Sequence, residues 1–252
     1  MAHERREGVA GLEKGLAILQ AFDIDNARLT ASAAARLSGI TRASARRHLM
    51  TLTSLGFTGT DGKSYWPTPK VLRLGTAYLH SARLPRVVQP FLQRLTATTG
   101  ESAFAAVLDE DELVYIARNG SSRIMNTGFV LGARTPPFVA SAGIAILAAL
   151  PPEHAGRLLA GYEIKPHTAH TVTDKQVLRE RIEEAALLGY AISEQQLEPG
   201  VRGVAVPLRD HKAQLVGALS VSMRIGTETA ENAVRRLLPA LQQTASDLRP
   251  IL

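Results

Sequence analysis

The sequence predicts an α+β chain of two domains: an N-terminal winged helix-turn-helix, then a larger unit of helices packed on antiparallel strands. Three observations carry this. Residues 29–66, LTASAAARLSGITRASARRHLMTLTSLGFTGTDGKSYW, have the pattern of two short helices about a glycine turn followed by a two-stranded hairpin. From Glu101 onward short strand-like segments alternate with helical ones, which suits helices laid on a sheet. Charge divides along the chain as well: residues 1–90 hold 13 Lys and Arg against 6 Asp and Glu, and residues 91–252 hold 16 against 17.

In order, Gly11 to Phe22 places Leu12, Leu16, Ile18, Leu19 and Phe22 at helical spacing, a packing helix. Asp23 to Arg28 is a polar break. Thr30 or Ser32 can cap a helix over Ala33 to Ser38, whose alanines permit close approach of a neighbour. Gly39 supplies the turn and Ile40 anchors it. Thr41 can cap the helix from Arg42 to Leu55, where Leu49, Leu52 and Leu55 recur at helical spacing, and Gly56 ends it. Asp61-Gly62 turns the hairpin between Phe57–Thr60 and Lys63–Trp66. Pro67 and Pro69 close the wing. Lys70 to Arg83 follows as a linker helix that helps pair two subunits, broken by Pro85, with a further helix from Val87 to Thr99. The expected division is 1–68 for the DNA-binding domain, 69–84 for the linker and 85–252 for an effector-binding and oligomerisation domain.

Farther along, SAFAAVLDEDELVYIARN forms a hairpin turning at Asp109-Glu110-Asp111, and Ile124 to Val130 is another strand. Helices are expected over Ala140 to Leu150, Pro152 to Gly161, Thr173 to Leu188 and Glu228 to Leu248. Strands are expected over Tyr190 to Glu194, Gly203 to Arg209 and Leu215 to Arg224.

Composition excludes several classes. The chain has 252 residues, 45% of them hydrophobic and 21% charged, enough for real cores. It has no cysteine, so disulfides, zinc thiolate sites and a cysteine nucleophile are out. The apolar run from Ala140 to Leu150 is too short to span a bilayer, and the charged start MAHERREG is unlike a signal peptide, so a cytoplasmic protein with no membrane contact is expected. No GxSxG elbow and no glycine-rich phosphate loop occurs, and the two imidazoles of His167 and His170 are too few for a metal site. No enzyme activity, cofactor or metal is expected.

A short basic helix with its apolar residues on another face suits the DNA major groove. Arginine can clasp a guanine edge in a bidentate fork, or touch only phosphates. Thr41 and Lys63 suit phosphate contacts. Trp66 at the base of the wing suits core packing better than DNA. At Ala140-Ser141-Ala142-Gly143 a helix begins among small residues, so its free N–H groups and the Ser141 hydroxyl can receive a carboxylate; an ordinary serine cap would look the same. Arg134, just before it, suits an anionic ligand or a surface ion pair. Met125, Phe129 and Phe138 can wall an aromatic ring or simply fill the core.

In GLEKGLAILQAF at 11–22, SGITRASARRHLMTL at 38–52, ARTPPFVASAGIAILA at 133–148, GYAISEQQLEPGVRGVAVPLRD at 189–210 and GALSVSM at 217–223, the chain resembles the IclR family of bacterial transcription regulators. The resemblance implies a GAF-like C-terminal effector-binding fold and a homodimer or homotetramer on double-stranded operator DNA. It implies DNA contacts from Arg42, Ser44, Arg46 and Arg47. It also implies a ligand site that includes Ser141, Ala142, Gly143, Ser193, Gly203, Ser220 and Ser222. SRIMNTGFVLGARTPPF at 122–138 looks most like regulators of aromatic-acid breakdown, which sense protocatechuate or 4-hydroxybenzoate; a small aliphatic acid such as glyoxylate or pyruvate is the alternative effector. The chain departs from the family's usual effector-domain pattern at three positions. Gln196 stands for an acidic residue, Gly203 for a cysteine or serine, and Arg209 for an aromatic residue or histidine.

Overall fold

The computed structural model describes residues 8–120 and 130–252, which form two compact units dividing between Tyr78 and Leu79. Met125, Phe129 and most of the strand expected over 124–130 lie outside the described residues.

In the first unit, α1 (Ala10–Gln20), α2 (Ala31–Leu37) and α3 (Arg42–Ser54) surround a core of Ile18, Leu29, Ala34, Ala45, Leu49, Leu52 and Tyr65. Caps explain the starts of α2 and α3. The Thr30 hydroxyl accepts the N–H of Ala33 at 3.3 Å, and the Thr41 hydroxyl that of Ser44 at 3.3 Å. Gly39, at φ 66°, makes the left-handed turn between them. The wing is β2 (Thr58–Thr60) and β3 (Ser64–Pro67), and a third strand not expected from the sequence, β1 (Leu29–Thr30), pairs on the outer edge of β3. Two residues are too few for periodicity to reveal a strand. A 3₁₀ turn, Pro69–Val71, leads into α4 (Leu72–Ser81).

Here the structure corrects one boundary. The chain breaks at Ala82, not at Pro85, and α5 (Arg83–Thr99) takes Pro85 into its first turn, where a missing N–H costs nothing.

The second unit is a three-layer stack. Its sheet contains β4 (Ser102–Asp109), β5 (Glu112–Asn119), β6 (Arg134–Thr135), β7 (Ala191–Glu194), β8 (Val201–Arg209) and β9 (Leu215–Arg224) in the order β6-β5-β4-β9-β8-β7, every pair antiparallel. The two-residue β6 is a second strand the sequence did not reveal. On one face lie α5 and α9 (Ala230–Leu248), joined to the sheet through Leu92, Leu95, Val204, Val206, Leu237 and Leu241. On the other lie α6 (Ser141–Ala149), α7 (Pro152–Gly161) and α8 (Lys175–Leu188). Both faces are covered, so β4, β8 and β9 are buried nearly throughout.

Helix α6 is the centre of that second layer, with Ser141 through Leu147 all buried. Gly143 sits so close to the backbone of Pro137 that a Cβ there would overlap its carbonyl. Gly143→Ala should therefore destabilise the protein by about 3 kcal/mol, since overpacking against backbone has no flexible side chain to yield. A lower urea midpoint for the far-UV signal checks this; an unchanged midpoint would contradict it.

Candidate functional site: a recognition helix and a serine-lined chamber

Helix α3 buries Ser44, Ala45, Leu49 and Leu52 and leaves Arg42, Ala43, Arg46, Arg47, Met50, Thr51 and Ser54 exposed. At 100° per residue the exposed set spans one face, with Met50, Ala43 and Ser54 near its middle, Arg46 and Arg47 flanking them about equally on either side, and Arg42 and Thr51 at its edges. The structure thus brings Arg42, Arg46 and Arg47 together. Ser44 is corrected: at 7% exposure it faces the core, with its hydroxyl 3.5 Å from His48 Nδ1 and its carbonyl 2.8 Å from the same nitrogen. Met50, 51% exposed, was overlooked, and the same helical spacing would have found it. A thioether in this place offers apolar contact to a thymine methyl. Thr41 is exposed while it caps the helix, and Lys63 is exposed at the wing tip. Trp66 is half-buried, lying opposite Gly59 in the hairpin register; a Cβ at 59 would come within 2.7 Å of the indole Nε1.

In the second unit, sheet register lines up small polar residues beneath the N-terminus of α6. Ser193 pairs with Gly203, Gly203 with Ser222, and Ser222 with Ser102; Ser220 lies two residues away, opposite Phe104 and Ala205. The Ser141 N–H donates to Ser193 Oγ at 3.1 Å. Above Gly203 the fit is tight, since a Cβ there would lie 2.6 Å from Ser141 Oγ and 3.2 Å from Ser193 Oγ. Glycine in place of the usual larger residue is what lets Ser141 sit against the sheet.

These residues enclose a chamber of about 20 Å³, with Tyr115 and Gln196 in its wall and Glu198 among its lining residues. The Ser141, Ser220 and Ser222 side chains are at most 6% exposed, and among the described residues none of their hydroxyls has a hydrogen-bond partner. The N–H groups of Ala142 and Gly143, in the first turn of α6, also lack an acceptor among the described residues, whereas that of Ile144 bonds the Ala140 carbonyl at 3.0 Å. The three hydroxyls border the open space of the chamber, so together they make a place that can hold a hydrogen-bonding guest. Each of them can both donate and accept.

Not every expected ligand residue joins the chamber. Arg134 lies at the surface, held by Glu112 and by Asp109 at 2.8 Å, which holds its guanidinium pKa above the usual value. Phe138 is fully buried and packs edge-on against Tyr162 at 5.3 Å, a core contact outside the chamber wall. Two residues with no assigned role before do join. Tyr115 stands edge-on to Phe104 at 5.7 Å, and burial pushes its phenol pKa up, so it remains a neutral donor. Alternation along ELVYIARN places it on this face with Leu113. Gln196 is fixed on both sides: its Oε1 accepts the Val172 N–H at 2.8 Å, and its Nε2 donates to the carbonyls of His170 at 2.7 Å and Glu194 at 3.0 Å. A carboxylate could not make the last two bonds, which accounts for the departure at this position.

Beside the chamber, sharing Ser193 and Gln196, lies a larger crevice of about 210 Å³ between α8 and β7 that also includes Arg181 and Glu184. On the same sheet face Arg118, opposite Phe104 in the register, extends over the Phe104 ring at 6.0 Å.

A winged-helix unit with an arginine-bearing recognition helix, followed by an α+β unit with a small polar chamber, defines a ligand-responsive transcription regulator. The comparisons specify it further. Residues 11–62 match the IclR helix-turn-helix domain and residues 76–249 the C-terminal domain of bacterial transcriptional regulators of the IclR type. The chain is 37% identical over 248 residues to the Pca operon regulatory protein of Acinetobacter baylyi, covering 97% of this chain and 89% of that one. It is 35% identical over 249 residues to the p-hydroxybenzoate hydroxylase transcriptional activator of the same organism, covering 97% and 92%. Among solved structures, the inducer-binding domain of the PobR transcription factor from Acinetobacter, a double mutant in complex with 3-hydroxybenzoic acid, superposes with a TM-score of 0.63 at 30% identity, covering 68% of this chain and all of that one. The chain belongs to the IclR family, and it is a DNA-binding transcription regulator with a C-terminal effector-binding domain.

Arg46→Ala and Arg47→Ala should each weaken binding to an operator selected from a random-sequence pool by about 1–3 kcal/mol and relax base preference at one position. Arg42→Ala, at the edge of the face, should weaken binding to all sequences alike. A gel-shift series on matched and point-mutated duplexes separates the two patterns.

Proposed function

We propose that the protein controls genes of aromatic-acid breakdown in the cytoplasm and that its effector is a hydroxybenzoate-type acid bound in the serine chamber. It does so as a homodimer or homotetramer with no catalytic activity of its own. Residues 1–68 bind the operator, 69–84 link, and 85–252 bind effector and oligomerise. On the DNA, Arg46 and Arg47 read bases while Arg42, Thr41 and Lys63 hold phosphates. In the chamber the effector carboxylate accepts from the N–H groups of Ala142 and Gly143 and from Ser141, and Ser220 and Ser222 complete its shell beside Ser193 and Gly203. Met125 and Phe129 remain proposed as apolar contacts to the ring. The observation that carries the reading is the set of three buried hydroxyls and two N–H groups with no partner among the described residues. The choice of a hydroxybenzoate rests on the relatives, one a regulator named for p-hydroxybenzoate hydroxylase and one seen with 3-hydroxybenzoic acid.

One feature favours a second reading, a small aliphatic acid such as pyruvate or glyoxylate. At about 20 Å³ the chamber is polar and hardly larger than a water molecule. A benzene ring then requires the chamber to open, and the 210 Å³ crevice across Gln196 is the adjoining space. Either acid alters DNA affinity only through a difference in its affinity for the two states of the regulator.

Thermal melting of the full chain with 4-hydroxybenzoate, protocatechuate, pyruvate and glyoxylate tests both readings. A ligand at about 100 times its dissociation constant stabilises by about 2.7 kcal/mol, which for a domain of this size is roughly 5–10 °C. The expected result is such a shift with the aromatic acids alone, largely lost in Ser220→Ala/Ser222→Ala. A shift with pyruvate or glyoxylate alone would support the second reading and overturn the first.

A further inference from the structure

On the wing, three side chains form an assembly that the recognition helix does not explain. The loop before β1 is folded on Asp23, whose Oδ1 accepts the N–H groups of Asp25 at 2.9 Å and Asn26 at 2.7 Å. It delivers Arg28 beside β3, where the guanidinium carbon lies over the Trp66 ring, 4.0 Å from its centre. One Arg28 nitrogen, Nη1, lies 3.5 Å from Asp61 Oδ2 at the wing turn. The two oxygens of Asp61 have separate duties. Its Oδ1 accepts the N–H groups of Ser64 at 2.7 Å and Lys63 at 3.0 Å and so shapes the turn, while Oδ2 is left to Arg28.

This is a poor ion pair and a good presentation device. The Arg28 and Asp61 side chains are 59% and 45% exposed, and one long contact engages one of the five guanidinium donors. Contact with the indole face holds the guanidinium in place at the surface, so less side-chain freedom is left to lose when an anion arrives. Lys63 is exposed on the same turn. A planar fork and an ammonium, fixed on a wing next to a DNA-reading helix, match successive phosphodiesters of a duplex backbone.

We infer that Arg28, presented by Trp66, is a DNA-phosphate contact of the wing, and that Asp61 competes with the phosphate for it. The inference rests on the DNA-binding reading of this unit. It makes the wing's contribution self-limiting: each duplex encounter must displace a carboxylate, which lowers sequence-independent affinity relative to base-specific contacts made by α3.

The test is fluorescence anisotropy of the full-length protein on a 30-base-pair duplex of random sequence across a potassium chloride series. Arg28→Met keeps a long stem over the indole and removes the charge. It should weaken binding roughly tenfold per engaged subunit at 0.1 M salt and reduce the slope of log K against log salt by about 0.9 per subunit. Asp61→Asn keeps the Oδ1 turn and removes the competitor, and should tighten binding several-fold; in Arg28→Met/Asp61→Asn that gain should shrink. An unchanged slope and affinity for Arg28→Met with a wild-type melting temperature would overturn the inference. So would an equal gain from Asp61→Asn with and without Arg28, which would mean that Asp61 acts only through its own charge. Failure of the wild-type protein to bind any duplex would remove the DNA-binding reading itself, a result distinct from both.

Discussion

The second unit depends on how closely the N-terminus of α6 approaches the sheet. Two glycines permit it, Gly143 against the backbone of Pro137 and Gly203 beneath Ser141 Oγ. With a larger residue at 143 the helix would have to lift off the Pro137 backbone, unpacking Ile144, Leu147 and their neighbours in the core it shares with α7 and α8, whereas a larger residue at 203 would turn the Ser141 and Ser193 hydroxyls aside. The same closeness sets the chemistry. It leaves the first turn of the helix and Ser220 and Ser222 on β9 around a small space without supplying protein partners for their polar groups. One packing decision therefore creates both the core and the site.

Hydroxyls that face a space without a protein partner are ready to take one from a ligand, so the chamber concentrates free polar groups in a domain where, among the described residues, Thr135 Oγ1 is the sealed side-chain atom without a partner. The contrast with Gln196, one wall away, is instructive. That residue uses its amide oxygen and both amide protons on three backbone groups and clamps the segment 170–172 to the end of β7. Two polar environments thus lie side by side, one complete and rigid, the other open. A fold whose local rules are broken in one place and kept everywhere around it marks that place as functional.

Much of this was legible in the sequence, because the longer elements carry strong local signals. Thr30, Thr41 and Asp174 cap the helices expected after them, and Gly39, Gly56 and Gly189 take the left-handed backbone their places require. Alternation fixed the long strands within a residue or two. Elements of two residues, β1 and β6, leave no periodic trace. Ser44 was misplaced because a basic run draws attention to composition, whereas the helical angle decides which members face outward. Arg134 and Phe138 were ambiguous for another reason: their partners, Asp109 and Glu112 for one and Tyr162 for the other, are far away in sequence. The pocket serines came from family resemblance; alternation alone would equally have described a half-exposed strand.

The surface position of Arg134 also makes physical sense. A guanidinium buried beside the serines would bind a carboxylate tightly, but in the empty state it would be an uncompensated buried charge, costing several kcal/mol. Among the described residues that line the chamber there is no cation; neutral serine hydroxyls beside the first turn of α6 face the space instead, with Glu198 as the one charged residue of the lining. Such donors cost less to leave empty and still complement an anion through the helix dipole. They suit a sensor, which must release its ligand when the concentration falls. The winged unit solves the opposite problem. Its partner is charged and solvated at every position along the duplex, so Arg42, Arg46 and Arg47 can stay exposed, where an unpaired charge costs little. The excess of Lys and Arg in residues 1–90 and the uncharged donors of the chamber are thus two answers to one electrostatic question: where the charge waits while the partner is absent.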